Sequence, residues 1–227
     1  MNKFAIAGFA IALGLCAIRR HYNGAVCKLR RDLTDQVAIV TGGNTGIGLE
    51  VALGLAREHC TVIIIARDIG KCEKAVKYIK KHSGNEAVEY RQVDIACLSS
   101  IDRFVDEMKA KFKKVNILVN NAGVSALRTL TLNEYGFDMI MAVNHFGHFY
   151  LTAKLWSLLR DAEDLRIVNV SSLAQRVVRH FGNGIDFDFD DLDGRKAYNT
   201  WRQYSRSKQA NIMFTQELAE RVEKINP

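Results

Sequence analysis

Gln36-Val-Ala-Ile-Val-Thr41-Gly-Gly-Asn-Thr-Gly46-Ile-Gly-Leu-Glu-Val51 is the stretch on which the fold turns. Gln36–Thr41 is mostly small or β-branched and apolar, which predicts a strand. Gly42, Gly46 and Gly48 follow, and a helical stretch, Leu49–His59, comes directly after them. Glycines between a strand and a helix let the backbone approach a phosphate, and the helix N-terminus adds unpaired N–H groups and partial positive charge. The spacing is G-x-x-x-G-x-G rather than the commoner G-x-G-x-x-G. The strand before it and the helix after it make it a dinucleotide cradle.

Outward from this unit the same alternation repeats. Thr61–Ala66, Val88–Val93, Val115–Asn120 and Arg166–Ser171 read as strands. Ile69–His82, Ser100–Lys113, Glu134–Arg160 and Trp201–Glu223 read as helices, the second opened by a capping box between Ser99 and Asp102. Thr61–Ala66 is apolar almost throughout, as a strand covered on both faces must be. The predicted fold is therefore α/β: a Rossmann-like, doubly wound parallel sheet with helices on both faces. The only proline, Pro227, ends the chain just after the last helix. Another strand would ordinarily join the sheet there, so the C-terminal strands are expected to be missing.

The formal net charge is +7. Six of the basic residues (Lys3, Arg19, Arg20, Lys28, Arg30 and Arg31) lie in the first 35 positions against only Asp32 and Asp35. No basic stripe is interleaved with aromatics, which argues against a nucleic-acid partner. Five scattered cysteines, Cys16, Cys27, Cys60, Cys72 and Cys97, contain no C-x-x-C and point to a reducing compartment rather than to disulfides or zinc. Phe4–Ile18 is uncharged and precedes Arg19-Arg20. As a helix it would cover about 22 Å, short of a hydrocarbon core of about 30 Å. A membrane anchor over residues 4–18 with the following domain in the cytosol is the preferred reading, ahead of a cleaved signal or an interfacial helix. Residues 1–32 are thus assigned to anchor and basic flank, and 33–227 to a single folded domain.

Tyr204 and Lys208 lie one helical turn apart, on one face. A cation beside a phenol favours its ionised form, so such a tyrosine can exchange a proton with a substrate oxygen near neutral pH. Four elements now stand in order: Thr41-Gly-Gly-Asn-Thr-Gly-Ile-Gly48, Asn120-Asn-Ala-Gly123, Val168-Asn-Val-Ser-Ser172 and Tyr204-x-x-x-Lys208. In this the chain resembles the short-chain dehydrogenase/reductase family over about residues 36–222. Asn144-His-Phe-Gly-His-Phe149, Ser171-Ser-Leu-Ala174 and Lys208-Gln-Ala-Asn211 are most similar to its membrane-anchored, retinol dehydrogenase-like members.

The resemblance implies a catalytic tetrad of Asn144, Ser172, Tyr204 and Lys208. Ser172 would hold the substrate oxygen, Tyr204 exchange the proton, Lys208 bind the nicotinamide ribose, and Asn144 hold a relay water. It also implies cofactor contacts from Gly42, Asn44, Thr45, Gly46, Ile47 and Gly48, with Asp94 along the adenine and Asn121, Ala122 and Gly123 along the adjacent wall. Arg67, just past the second strand, favours a 2′-phosphate and hence NADP(H). The expected substrate is lipophilic, a retinoid first and then a steroid, polyprenoid or fatty aldehyde. Residence in the endoplasmic reticulum membrane and a homodimer through the Glu134–Arg160 and Trp201–Glu223 helices complete the expectation. Its rival is a non-catalytic cofactor-binding or interaction protein.

Three further features invite other readings. The acids Asp186, Asp188, Asp190, Asp191 and Asp193 lack the glycine and terminal acid of a calcium loop. Among them Ile185, Phe187 and Phe189 alternate as an edge strand, a cover over apolar substrate or a solvated loop would. His145 and His148 have no evident third ligand, so no metal is expected. Asn169-Val-Ser171 matches a glycosylation sequon on what should be a buried strand.

Overall fold

The computed structural model describes residues 14–16, 19, 30–125, 127–177, 187, 189–196 and 198–225. The chain divides into two units, Met1–Arg31 and Asp32–Pro227. In the first, residues 14–16 and Arg19 are helical and exposed. The rest of the anchor predicted over residues 4–18 lies outside the described residues. Among the described residues no helix is long and apolar enough to cross a membrane.

The second unit is built on five parallel strands, β1 (Val37–Thr41), β2 (Thr61–Ala66), β3 (Val88–Gln92), β4 (Ile117–Asn120) and β5 (Arg166–Asn169), in the order β3-β2-β1-β4-β5. Alternate residues of the central strands feed two cores. Ile39, Ile63 and Ile65 pack against Ile101, Phe104 and Met108 of α3 (Leu98–Lys111) and Leu151 and Leu155 of α5 (Gly147–Leu159). Ala38, Val40 and Ile64 face the opposite way, onto Ala52, Leu53 and Ala56 of α1 (Gly46–Arg57) and Ala75 and Ile79 of α2 (Ile69–Ser83). Each fully buried isoleucine contributes on the order of 2 kcal/mol, so β2 alone anchors both layers. Strand order reverses between β1 and β4, and the crevice beyond their C-terminal ends is where such sheets bind ligands.

Four local expectations are corrected by tertiary contacts. Helix α3 begins at Leu98 with Cys97 as an N-cap that makes no side-chain cap bond. Ser100 Oγ instead accepts from the Asp94 N–H, and Asp102 accepts from Tyr150 and pairs with Lys154, so the expected capping box is absent. The helix predicted from Glu134 starts only at α4 (Met139–Met141), because Asp138 caps it and Asn133 Oδ1 draws the Tyr135 and Phe137 N–H groups into a turn. Helix α1 starts three residues earlier than predicted, inside the glycine turn itself. Strand β5 is not buried but alternates exposed and half-exposed, since among the described residues it pairs only with β4. Of the alternating apolar residues, Ile185 lies outside the described residues. The Phe187 and Phe189 rings lie 4.8 Å apart, tilted by 57°, with Phe189 opening a short 3-10 turn, Phe189–Asp191, rather than a strand.

Candidate active site

A cleft of about 400 Å³ lies over the crevice, lined by Gly42, Asn44, Thr45 and Ile47 from the first turn, Arg67 and Lys71 past β2, Asp94 past β3, and Asn121, Ala122 and Gly123 past β4. Gly42 and Gly46 have φ of +64° and +55°, the left-handed conformation that glycine adopts without strain. A Cβ on Gly48 would collide with the Gly42 carbonyl and the Asn121 amide, so Gly48 lets α1 approach the turn rather than lining the cleft. The helix N-terminus thus faces the cleft, as a dinucleotide requires. Asp68 caps α2 by accepting from the Lys71 N–H, which holds its carboxyl below the usual carboxylate range. Lys71 was missed by sequence reading, although a basic residue in the first turn after Arg67 is a legible signal. Its Nζ lies 3.4 Å from Asp68.

The second group of predicted residues converges from the other side. Lys208, on α7 (Thr200–Ile225), is 4% exposed and donates to the Val170 carbonyl at 3.0 Å. Burial pushes its ammonium pKa down. Its Nζ is 5.7 Å from the centre of the Tyr204 ring. A Cβ on Gly123 would lie 3.7 Å from that same Nζ and 3.3 Å from Asn144 Oδ1, so the Tyr204–Lys208 pair and Asn144 abut the cleft wall. The two serines differ in use. Ser171 Oγ donates to the Lys208 carbonyl at 2.8 Å, whereas Ser172 Oγ accepts from the Ala174 N–H at 3.2 Å, opening α6 (Ala174–Val177). Among the described residues, the Ser172 hydroxyl proton meets no acceptor.

Asn144 sits in a π-helical turn, Ala142–Phe146, between α4 and α5. A π-turn inserts an extra residue into a helix and frees backbone groups, and such turns concentrate at functional sites. Gly147 follows it as the first residue of α5, where any side chain would strike Ile95. Asn144 is fully buried; its Nδ2 donates to the Val124 carbonyl and Ser207 Oγ, and its Oδ1 accepts from the Val124 N–H. His148, one turn on, is buried and its pKa is pushed down to about 4, chiefly by burial and further by Lys208. His145 donates to Asn211 Oδ1 and is also pushed down by burial. Neither histidine belongs to a metal-binding group among the described residues.

The acid-rich segment supplies a clamp that sequence reading missed. Asp191 and Arg206 are 2% and 3% exposed and pair at 3.2 Å. Arg206 also donates to the Asp191 carbonyl, and the Lys196 N–H donates to Asp191 Oδ1. This fastens the segment before α7 to the turn that carries Tyr204 and Lys208.

The family model for short chain dehydrogenase matches residues 36–183. Human retinol dehydrogenase 13 is 40% identical over 96% of this chain and 62% of its own length. Human retinol dehydrogenase 11 is 40% identical over 94% of this chain and 65% of its own, and bovine retinol dehydrogenase 12 is 40% identical over 91% and 63%. The chain thus spans under two thirds of the length of these relatives. Among solved structures, a protein from Mycobacterium paratuberculosis superposes with a TM-score of 0.72 at 33% identity, covering 89% of this chain and 68% of that one. A short chain dehydrogenase from Escherichia coli CFT073 complexed with NADPH superposes with a TM-score of 0.66 at 22% identity, covering 86% and 75%, and shows a shared fold.

Proposed function

Since the chain belongs to the short chain dehydrogenase family, we propose that it is an NADP(H)-dependent oxidoreductase that interconverts a hydroxyl and a carbonyl on a lipophilic substrate, retinol and retinal first. One observation carries this reading. The buried Lys208 ammonium lies beside the Tyr204 ring and also against Gly123, a wall of the nucleotide cleft, so the proton-exchanging pair and the cleft share one space. The similarity to retinol dehydrogenases 11, 12 and 13 supports the substrate class.

The residues present fit the cofactor. The glycine turn and α1 N-terminus suit its pyrophosphate, Asn121 to Gly123 form a wall, and Arg67 with Lys71 offers two cations to a 2′-phosphate. The bound cofactor would supply a hydride in reduction and, in its oxidised form, would accept one in oxidation. The Ser172 hydroxyl donates a hydrogen bond to the substrate oxygen and orients it. Tyr204 gives a proton to that oxygen in reduction and takes one in oxidation. Lys208, a buried cation fixed by the Val170 carbonyl, would hold the nicotinamide ribose. Asn144 steadies the wall through Val124. The uncharged run before Arg19-Arg20 supports an anchor in the endoplasmic reticulum membrane, from which lipophilic substrate would reach the site. The face of α5 and α7 that carries Phe149 and Phe214, rings 5.3 Å apart, supports a homodimer.

A fluorescence titration with NADPH and NADH, followed by a retinal reduction assay, tests the reading. Saturable binding that prefers NADPH, with Tyr204→Phe retaining binding but losing turnover, is expected. Binding without turnover in either protein would favour the non-catalytic cofactor-binding alternative, and no binding would overturn the NADP(H) reading.

A further inference from the structure

Thr41 Oγ1, at the end of β1, accepts the backbone N–H groups of Asn121 and Ala122, each at 2.8 Å. A hydroxyl has two lone pairs and one proton, so both acceptor positions are filled. Only the proton remains for its third neighbour, His148 Nε2, at 2.8 Å. Nε2 must therefore accept, which leaves the ring proton on Nδ1. Nδ1 faces the Asn144 carbonyl at 3.1 Å and donates to it. That same carbonyl takes Asn211 Nδ2 from α7 at 3.0 Å. The ring is 1% exposed, so water offers neither nitrogen a substitute partner.

We infer that His148 is a positioning residue, a neutral imidazole protonated at Nδ1 that ties Thr41 and the Asn121–Ala122 wall of the cleft to the carbonyl of Asn144. Residues more than a hundred positions apart meet through it. A ring with the opposite tautomer would set two donors against each other at Nε2 and two acceptors at Nδ1. The ring state is thus dictated by how β1 and β4 end, and it in turn sets where the π-turn holds Asn144. The effect on cofactor affinity rests on the NADP(H) reading above; the ring's protonation state does not.

Two measurements on the full chain decide the matter. With nitrogen-15-labelled histidine, long-range proton–nitrogen correlation should show His148 unprotonated at Nε2 and protonated at Nδ1, and Thr41→Val should shift the Nε2 resonance. Protonation at Nε2, or a spectrum indifferent to loss of the hydroxyl in a folded Thr41→Val protein, would overturn the inference. In NADPH titrations, His148→Gln, whose Oε1 can still accept from Thr41, should stay within about threefold of wild type. His148→Ala should lose about tenfold, the scale of one buried hydrogen bond. Equal losses in both variants, or no loss in either, would reduce His148 to a packing residue. If wild type binds no NADPH, the cofactor reading fails and the correlation spectrum alone decides the role of His148.

Discussion

Individual side chains behind and along the cleft make opposing demands on water and charge. His148 has a folded pKa of about 4 against about 6.5 when unfolded. Between those values the unfolded chain binds more protons, so stability is full above the upper value and falls as pH drops toward the lower one. The loss should reach on the order of 3 kcal/mol, with His145 adding in the same direction. Thermal melts from pH 7 to pH 4 should show a smaller decline in His148→Gln, and an identical decline would exclude this histidine as the cause. At the other end of the cleft, Arg67→Ala should weaken NADPH binding by about tenfold or more, the scale of a charge-assisted contact, with NADH unaffected. Lys71→Ala should weaken it less, because Lys71 Nζ is shared with Asp68. Equal effects on both nucleotides would mean that neither side chain reads the phosphate.

The secondary elements owe their boundaries to contacts with distant neighbours. Gly48→Ala leaves a good helix former in α1, yet its methyl would press on the Gly42 carbonyl and Asn121. Cofactor affinity and thermal midpoint should fall together, and an unchanged titration would show that the turn relaxes around the methyl. The Asp191–Arg206 pair makes a sharper case. Removing one partner of a buried pair strands the other charge, at a cost of roughly 3 kcal/mol. Asp191→Ala should therefore destabilise the domain by about that much in urea unfolding, while Asp191→Ala with Arg206→Leu should recover part of it. A double variant as unstable as the single would mean that the pair's hydrogen bonds to the 191–196 backbone matter more than its charge.

Over the whole sheet, burial grades from centre to edge. The residues of β1 and the inner residues of β2 are buried, whereas Val168 of β5 is 48% exposed. Native-state hydrogen exchange should therefore be slowest in β1 and β2 and fastest among the strands in β5, and protection of β5 equal to that of β1 would show that its outer edge is covered in solution. The glycine turn, the alternation of apolar runs with helical stretches, and the four-residue spacing of Tyr204 and Lys208 were all legible in the chain, because each depends on neighbours within a turn or a strand. So were the fold class and most of the cleft lining. What remained hidden depends on groups far apart in sequence. The Ser99–Asp102 box gave way to Asp94, Tyr150 and Lys154, and the buried β5 gave way to an edge. Asp191, one of several acids in a polar segment, became the buried partner of Arg206. The amino-acid order by itself determined the alternation of strands and helices and the spacing of the glycine turn and of Tyr204 and Lys208, since propensity and periodicity are local. Only the tertiary structure decided that Thr41, Asn121, Asn144, His148 and Lys208 meet, because hydrogen-bond satisfaction in a buried space depends on every group that enters it.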